Sequence, residues 1–207
     1  MPQNTPTPST DQPTKAAPDN PHERLMAQGI WYDPKTKLYW DRCSIGQTWD
    51  GQTCQGTALE LNWQDAQDYV KQFTNQQAKG GFSNWRVPTI KELASIRHCS
   101  GGWQKEDTGT TTLTEQGRVA VYKVSTELVP NNQGSEIQLP TKCAYGSEEP
   151  TVNQQIFPNT PNYYNYYGYW SSSEKFSTRA WVIHFNYGTI MDYSKSGKDY
   201  VRAVRSE

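Results

Sequence analysis

Residues 85–96 read WRVPTIKELASI, and the order of these twelve residues determines how the chain around them is built. Pro88 disfavours helical backbone just before it, so Trp85–Val87 is expected to be extended. Thr89 and Glu92 then stand at the spacing of a capping box, in which each side chain satisfies a free amide of the first helical turn. Leu93 and Ile96 supply a buried face. Arg86 sits where its guanidinium can satisfy carbonyls or pair with an acidic neighbour, which marks it as scaffold. Working back, Asn62 can cap a second helix. Trp63, Ala66, Tyr69, Val70 and Phe73 fall at helical spacing along it, and Gly80-Gly81 ends it.

Strands lie on both sides of these two helices. GIWYDPKTKLYWDR (29–42) places two aromatic runs around Asp33-Pro34-Lys35-Thr36, a hairpin with a proline-bearing turn. Towards the end, RAWVIHF (179–185) alternates, TIMDYS (189–194) follows Asn186-Tyr187-Gly188 as its hairpin partner, and DYVRAVR (199–205) is expected to be a last alternating strand. Two helices, a small antiparallel sheet and long loops make an α+β domain. Trp170, Trp181, Ile183 and Phe185 are expected in the core, with His184 half-exposed on the opposite face of its strand. Between Ser100 and Pro158 the pattern loosens. GRVAVYKVSTEL reads as a strand with a short partner, and residues 100–150 read as an insertion. There is no internal repeat.

Composition narrows what such a domain can do. The chain has 207 residues and is only 34% hydrophobic, yet holds 8 Trp and 13 Tyr, so aromatic rings must carry much of the packing. The formal net charge is −1, which gives no global attraction to nucleic acid or anionic lipid. No apolar run reaches the roughly 20 residues of a membrane-spanning helix. Residues 1–24, rich in Pro, Thr and Asn, read as a disordered linker, with the domain occupying 25–207. Such tracts follow secretion signals or lipid anchors, so Met1 is expected to lie downstream of an export signal.

Four cysteines, Cys43, Cys54, Cys99 and Cys143, without a CxxC pair, point to disulfides in an oxidising compartment. Three connectivities are open; the most local one pairs Cys43 with Cys54 and Cys99 with Cys143. A zinc site is the alternative, but the spacing fits no usual ligand pattern.

Trp85-Arg86-Val87-Pro88-Thr89 with Glu92-Leu93, then Phe157-Pro158, Tyr169-Trp170-Ser171-Ser172, Ala180-Trp181, Phe185, Gly188 and Val201-Arg202-Ala203-Val204-Arg205 form an ordered series over roughly residues 30–205. This series resembles the Lcl_C domain family, named for the C-terminal domain of a Legionella collagen-like adhesin. CSIGQTWDGQTCQG (43–56) is similar to the form in exported bacterial members. The resemblance implies a C-type-lectin-like fold, related to the formylglycine-generating enzymes and to retroelement-diversified ligand-binding proteins, and an adhesin member that binds sulfated glycosaminoglycans. No Gly-x-y repeat precedes the domain, so collagen-driven trimerisation does not carry over. The formylglycine-generating activity requires reactive cysteines late in the domain, and none follows Cys143. An enzyme is therefore not expected, and neither is a cofactor or a metal. His98 beside Cys99 does not make a nucleophile–base pair if the thiol is in a disulfide. The triplets of calcium-dependent lectin sites are absent.

The remaining question is 161–170, PNYYNYYGYW. Tyr169, next to Trp170, belongs to the core. Tyr163, Tyr164, Tyr166 and Tyr167 are candidate ligand-binding residues, because tyrosine offers wide contact area at low side-chain entropy. Asn159, Asn162 and Asn165 can bond sugar hydroxyls. Lys175, Arg179, Lys195 and Lys198 follow in loops or strand ends and can meet sulfate or carboxylate groups. The expected function is that of an extracytoplasmic, non-enzymatic adhesin or binding module for a surface glycan, with a sulfated or acidic polysaccharide implied by the resemblance. The competing expectation is a module that binds a partner protein, such as an envelope or pilus-associated subunit.

Overall fold

The computed structural model describes residues 20–131, 133–162 and 167–207, without the side chains of 73–77. The body opens with helix α1 (Pro21–Ala27), started by Asn20, whose side chain accepts from the His22 amide, and by a proline in the first turn. The expected linker thus gives way to helix before residue 24. His22 stacks on Tyr32 at 4.2 Å between ring centroids.

Strands β1 (Ile30–Asp33) and β2 (Leu38–Asp41) form the expected hairpin. Asp33 holds its turn by accepting from the Lys35 amide and the Thr36 hydroxyl. Two short strands, β3 (Thr48–Trp49) and β4 (Cys54–Gln55), close the first disulfide loop. Helix α2 (Trp63–Gln77) is capped by Asn62, which accepts from the Asp65 amide. It turns left-handed at Ala78 and passes into a short 3-10 turn, Lys79–Gly81. Ala66 and Val70 are buried, but Tyr69 faces outward, because only one side of the helix meets the core. Helix α3 (Ile90–Ser95) begins at the capping box of Thr89 and Glu92. Arg86 grips the same Glu92 carboxylate with both terminal nitrogens, at 2.7 and 2.6 Å. Burial pushes that carboxyl up, but the Arg86 and Thr89 hydrogen bonds outweigh it and hold it below its usual range.

Residues 100–150 contain two hairpins, β5 (Lys105–Thr114) with β6 (Gly117–Val124), and β7 (Thr126–Pro130) with β8 (Glu136–Pro140). The second is joined to the body: Val129 is fully buried, and Ile137 and Leu139 pack against the same core cluster. The first is exposed along most of its length.

The centre of the domain is a three-stranded sheet ordered β11-β10-β9, made of β9 (Tyr169–Phe176), β10 (Arg179–His184) and β11 (Thr189–Ser194). On one face Tyr169, Trp181, Ile183 and Phe185 cluster with Ile90 and Leu93 of α3. On the other, Trp170, Ala180 and Val182 cluster with Ala66 and Val70 of α2. The sheet is therefore covered on both sides, which corrects the expectation for His184. It is buried, its Nε2 has no hydrogen-bond partner among the described residues, and burial lowers its pKa.

The chain ends on β12 (Val204–Ser206), which pairs with β2 and so ties the last residues to the first hairpin. Only this short piece of 199–205 is regular strand, and Val201–Arg205 is buried throughout rather than alternating. Arg202 is fully buried and makes no ion pair with a carboxylate among the described residues. It donates to the Arg42 and Asp41 carbonyls and the Thr160 hydroxyl, and lies 4.6 Å from the Phe157 ring centroid. The α+β class is as expected, but the described residues form five separate antiparallel sheets rather than one. Both disulfides follow the most local pairing, Cys43–Cys54 and Cys99–Cys143.

Candidate ligand-binding surface

β10 runs between two ends of the central sheet, and the sequence-predicted site residues divide between them. At one end, Tyr169 pairs with Ile183 and His184 with Thr189, so the tyrosine segment enters β9 beside the β10–β11 turn. At the other, Arg179 lies between Phe176 and Ser194. Six residues of strand separate these ends, roughly 20 Å. The tyrosine segment therefore does not share a patch with Lys175 and Arg179, whereas Lys198, beside Asp199, stays at the tyrosine end.

Three of the four cations are also occupied. Lys175 bonds Asp192 at 2.9 Å, lies 3.6 Å from Glu127, and sits 4.2 Å over the Trp181 ring. Arg179 bonds the same Asp192 through its side chain and its carbonyl. Burial would push the Asp192 carboxyl up, yet hydrogen bonds from Arg179 and Lys175 hold it below its ordinary value. Lys195 bonds Glu174 at 2.8 Å and lies 4.2 Å over Trp63, where α2 begins. Lys198 is exposed, next to Asp199.

The tyrosine end has a different character. Tyr163, Tyr164, Tyr166 and Asn165 lie outside the described residues. Tyr167 is exposed, its ring 5.6 Å from that of Tyr200, and its hydroxyl is hydrogen-bonded to Glu60, whose charge raises the phenol's pKa. Tyr169 is buried as expected, with its hydroxyl 2.6 Å from that of Ser44.

Tyr200 lines a cleft of about 460 Å³ between residues 54–58 and 159–162. Its walls are joined by amides: Gln47 donates to the Asn159 carbonyl, and Asn159, held at φ 52°, donates to the Cys54 carbonyl. Thr57, Asn162 and the Asn159 side-chain oxygen line the cleft and spend no hydrogen bond within the described fold. Such convergent, uncharged polar groups in a preformed cleft suit hydroxyl-bearing ligands.

Beside it, Asp199 is fully buried. One carboxylate oxygen accepts from the Gly168 amide at 2.6 Å, and the other has no partner among the described residues. Burial, together with the charge of Glu60, raises its pKa to about 7, against the pull of the Gly168 bond. Asp199 thus anchors the residue that follows the tyrosine segment. Neither Asp199 nor Gln47 carried a signal in the sequence. Asp199 reads there as one more polar residue of a closing strand, and Gln47 as one of many amides in a loop. Asn159 and Asn162 were identifiable, because they flank the tyrosines.

Among the described residues no group of three or more His, Cys, Asp or Glu side chains could hold a metal ion, and no helix is long and apolar enough to cross a membrane. The two disulfides fit an oxidising, extracytoplasmic compartment. No curated protein matches the chain. The sequence model of the Lcl C-terminal domain does, over residues 29–205, from the turn before β1 to β12. The chain accordingly belongs to the family of Lcl C-terminal domains, adhesin-related binding modules.

Proposed function

We propose that the protein is an exported, non-enzymatic binding module that recognises a surface glycan at the tyrosine end of its central sheet. The observation that carries this is the preformed polar cleft lined by Thr57, Asn159, Asn162 and Tyr200, with Tyr167 exposed beside it. Hydroxyl-bonding amides next to aromatic rings are what a sugar ring, polar at its edge and apolar across its C–H face, requires. The pairing of all four cysteines leaves no thiol for the cysteine-dependent chemistry of the formylglycine-generating enzymes. A C-type-lectin-like architecture is supported by the pairing of β12 with the first hairpin, by α2 and α3 on opposite faces of the central sheet, and by the long excursion between α3 and β9.

Charge favours a neutral glycan over a sulfated one. Lys175, Arg179 and Lys195 are spent on carboxylates, while Glu60 and Asp199 lie near the cleft, and Lys198 is the cation beside it. The test is an array of neutral, acidic and sulfated glycans at low and physiological salt. Salt-insensitive binding to neutral chains is expected; binding that falls steeply with salt would restore the polyanion. The competing reading, a protein partner, is favoured by one feature: the β5–β6 hairpin exposes Leu113, Val119 and Tyr122. If no glycan binds at all, that reading replaces the first.

A further inference from the structure

A second cleft, also about 460 Å³, opens at the same end of the central sheet but on the β11 side, where residues 142–149 of the insertion meet the β10–β11 turn. Two tyrosines stand at it. The Tyr145 side chain is fully exposed, and Tyr187 is 51% exposed. Neither ring stacks on another aromatic ring and neither hydroxyl is hydrogen-bonded within the described fold, so both hydroxyls and the exposed part of each ring are open to a ligand. Two exposed tyrosines at one cleft give it an aromatic rim against which a ligand face can stack.

The framework beneath the rings is rigid. Cys143 is tied to Cys99, and its amide donates to the Tyr187 carbonyl at 3.0 Å, which fixes the spacing of the two tyrosine-bearing segments. The Ala144 amide donates to the Gly102 carbonyl at 2.8 Å, and the Thr151 hydroxyl donates to the Phe185 carbonyl at 2.7 Å. Gly188 (φ 61°) runs against the Cys143 sulfur so closely that a Cβ there would collide with it. Gln104, Lys142 and Glu149 also line the cleft, and their side chains make no hydrogen bond or ion pair within the described fold. This gives a mixed set of donors and acceptors with no net charge. The volume lies within the roughly 300–1,000 Å³ of small-molecule sites.

We propose that this cleft is a second carbohydrate subsite, which takes a neutral pyranose unit against the rings of Tyr145 and Tyr187 while Gln104, Lys142 and Glu149 bond its hydroxyls. The proposal rests on the glycan reading above but uses none of the residues of the first cleft. Both tyrosines lie on the surface, so replacing them leaves the core untouched.

The experiment titrates gluco-, galacto- and manno-configured neutral hexasaccharides into the full chain, followed by saturation-transfer NMR and calorimetry. Three variants accompany it: Tyr145→Ala/Tyr187→Ala, Tyr145→Phe/Tyr187→Phe, and Tyr167→Ala with Asn162→Ala. Thermal midpoints establish that each is folded. At least a tenfold loss of affinity is expected for the double alanine variant, with most of it restored by phenylalanine, which keeps the ring. Binding unchanged in the double alanine variant but lost in the Tyr167/Asn162 variant overturns the second subsite and leaves the glycan reading standing. Silence of all three hexasaccharides towards the unmodified chain overturns both.

Discussion

The two ends of the central sheet both carry polar side chains and use them in opposite ways. At the β9–β10 turn, Lys175 and Arg179 converge on Asp192, and Lys195 on Glu174, so each charge is answered from within the fold. At the other end, the side chains of Asn162, Thr57, Gln104, Lys142 and Glu149 line clefts without partners among the described residues, and the rings of Tyr145, Tyr167 and Tyr187 are exposed beside them. A charge that faces a counter-charge is not available to a ligand, however cationic its sequence neighbourhood looks. Groups without a partner are what the molecule offers to others.

The contrast can be broken most strongly at its foundation. Replacing Cys99 and Cys143 with serine frees the loop that carries Tyr145. Opening a loop with a sequence separation of 44 should cost about 4 kcal/mol of stability, against about 3 kcal/mol for Cys43–Cys54. Urea unfolding of the two double variants measures the difference. If Cys99–Cys143 proves the weaker contributor, the framework of the second cleft is held by its hydrogen bonds rather than its cross-link.

Asp199 gives the next effect. Its folded pKa of about 7 lies above the unfolded value near 4, so the native state binds more protons between these pH values. Its contribution to stability is therefore full below about pH 4 and is lost as pH rises through 7, by roughly 4 kcal/mol. Asp199→Asn, which keeps an oxygen for the Gly168 amide, should flatten this dependence and be the more stable protein at pH 8. Denaturation at pH 5 and pH 8 tests this, and a wild-type stability that does not fall across the window would mean that the carboxylate has found a partner.

Smaller effects sharpen the comparison. Tyr167→Ala should weaken glycan binding by about 1 kcal/mol, roughly fivefold, and lower the thermal midpoint only slightly, because the residue loses one ring contact and one surface hydrogen bond. Lys175→Ala and Arg179→Ala should each change stability by less than about 1 kcal/mol and leave glycan affinity and its salt dependence unaltered. A loss of binding in either would join the two ends functionally and undo the distinction.

Much of the framework was legible because it obeys short-range rules. The Asn62 cap, the Thr89–Glu92 box, the Asp33 turn and the β10–β11 hairpin each depend on residues within a few positions of one another. The local disulfide pairing likewise matched chain proximity. The candidate site was legible only in part. The tyrosine segment and its flanking asparagines announced themselves by composition, whereas Asp199, Tyr145 and Tyr187 did not. Alternation in RAWVIHF implied one wet face, and His184 was read accordingly. It is buried because α2 covers the side that α3 does not. Strand periodicity distinguishes two faces but cannot say whether both are covered.

Sequence alone determines where this chain turns, where its helices start and which rings must be buried, since propensity, capping and alternation act within one turn or one strand. Tertiary structure decides what each charge faces. Arg202 meets the Asp41 and Arg42 carbonyls some 160 residues away, Lys195 meets Glu174, and Gly168 meets Asp199. Those meetings depend on how the sheet ends are stacked, and they separate the residues that hold the fold from those left free to bind.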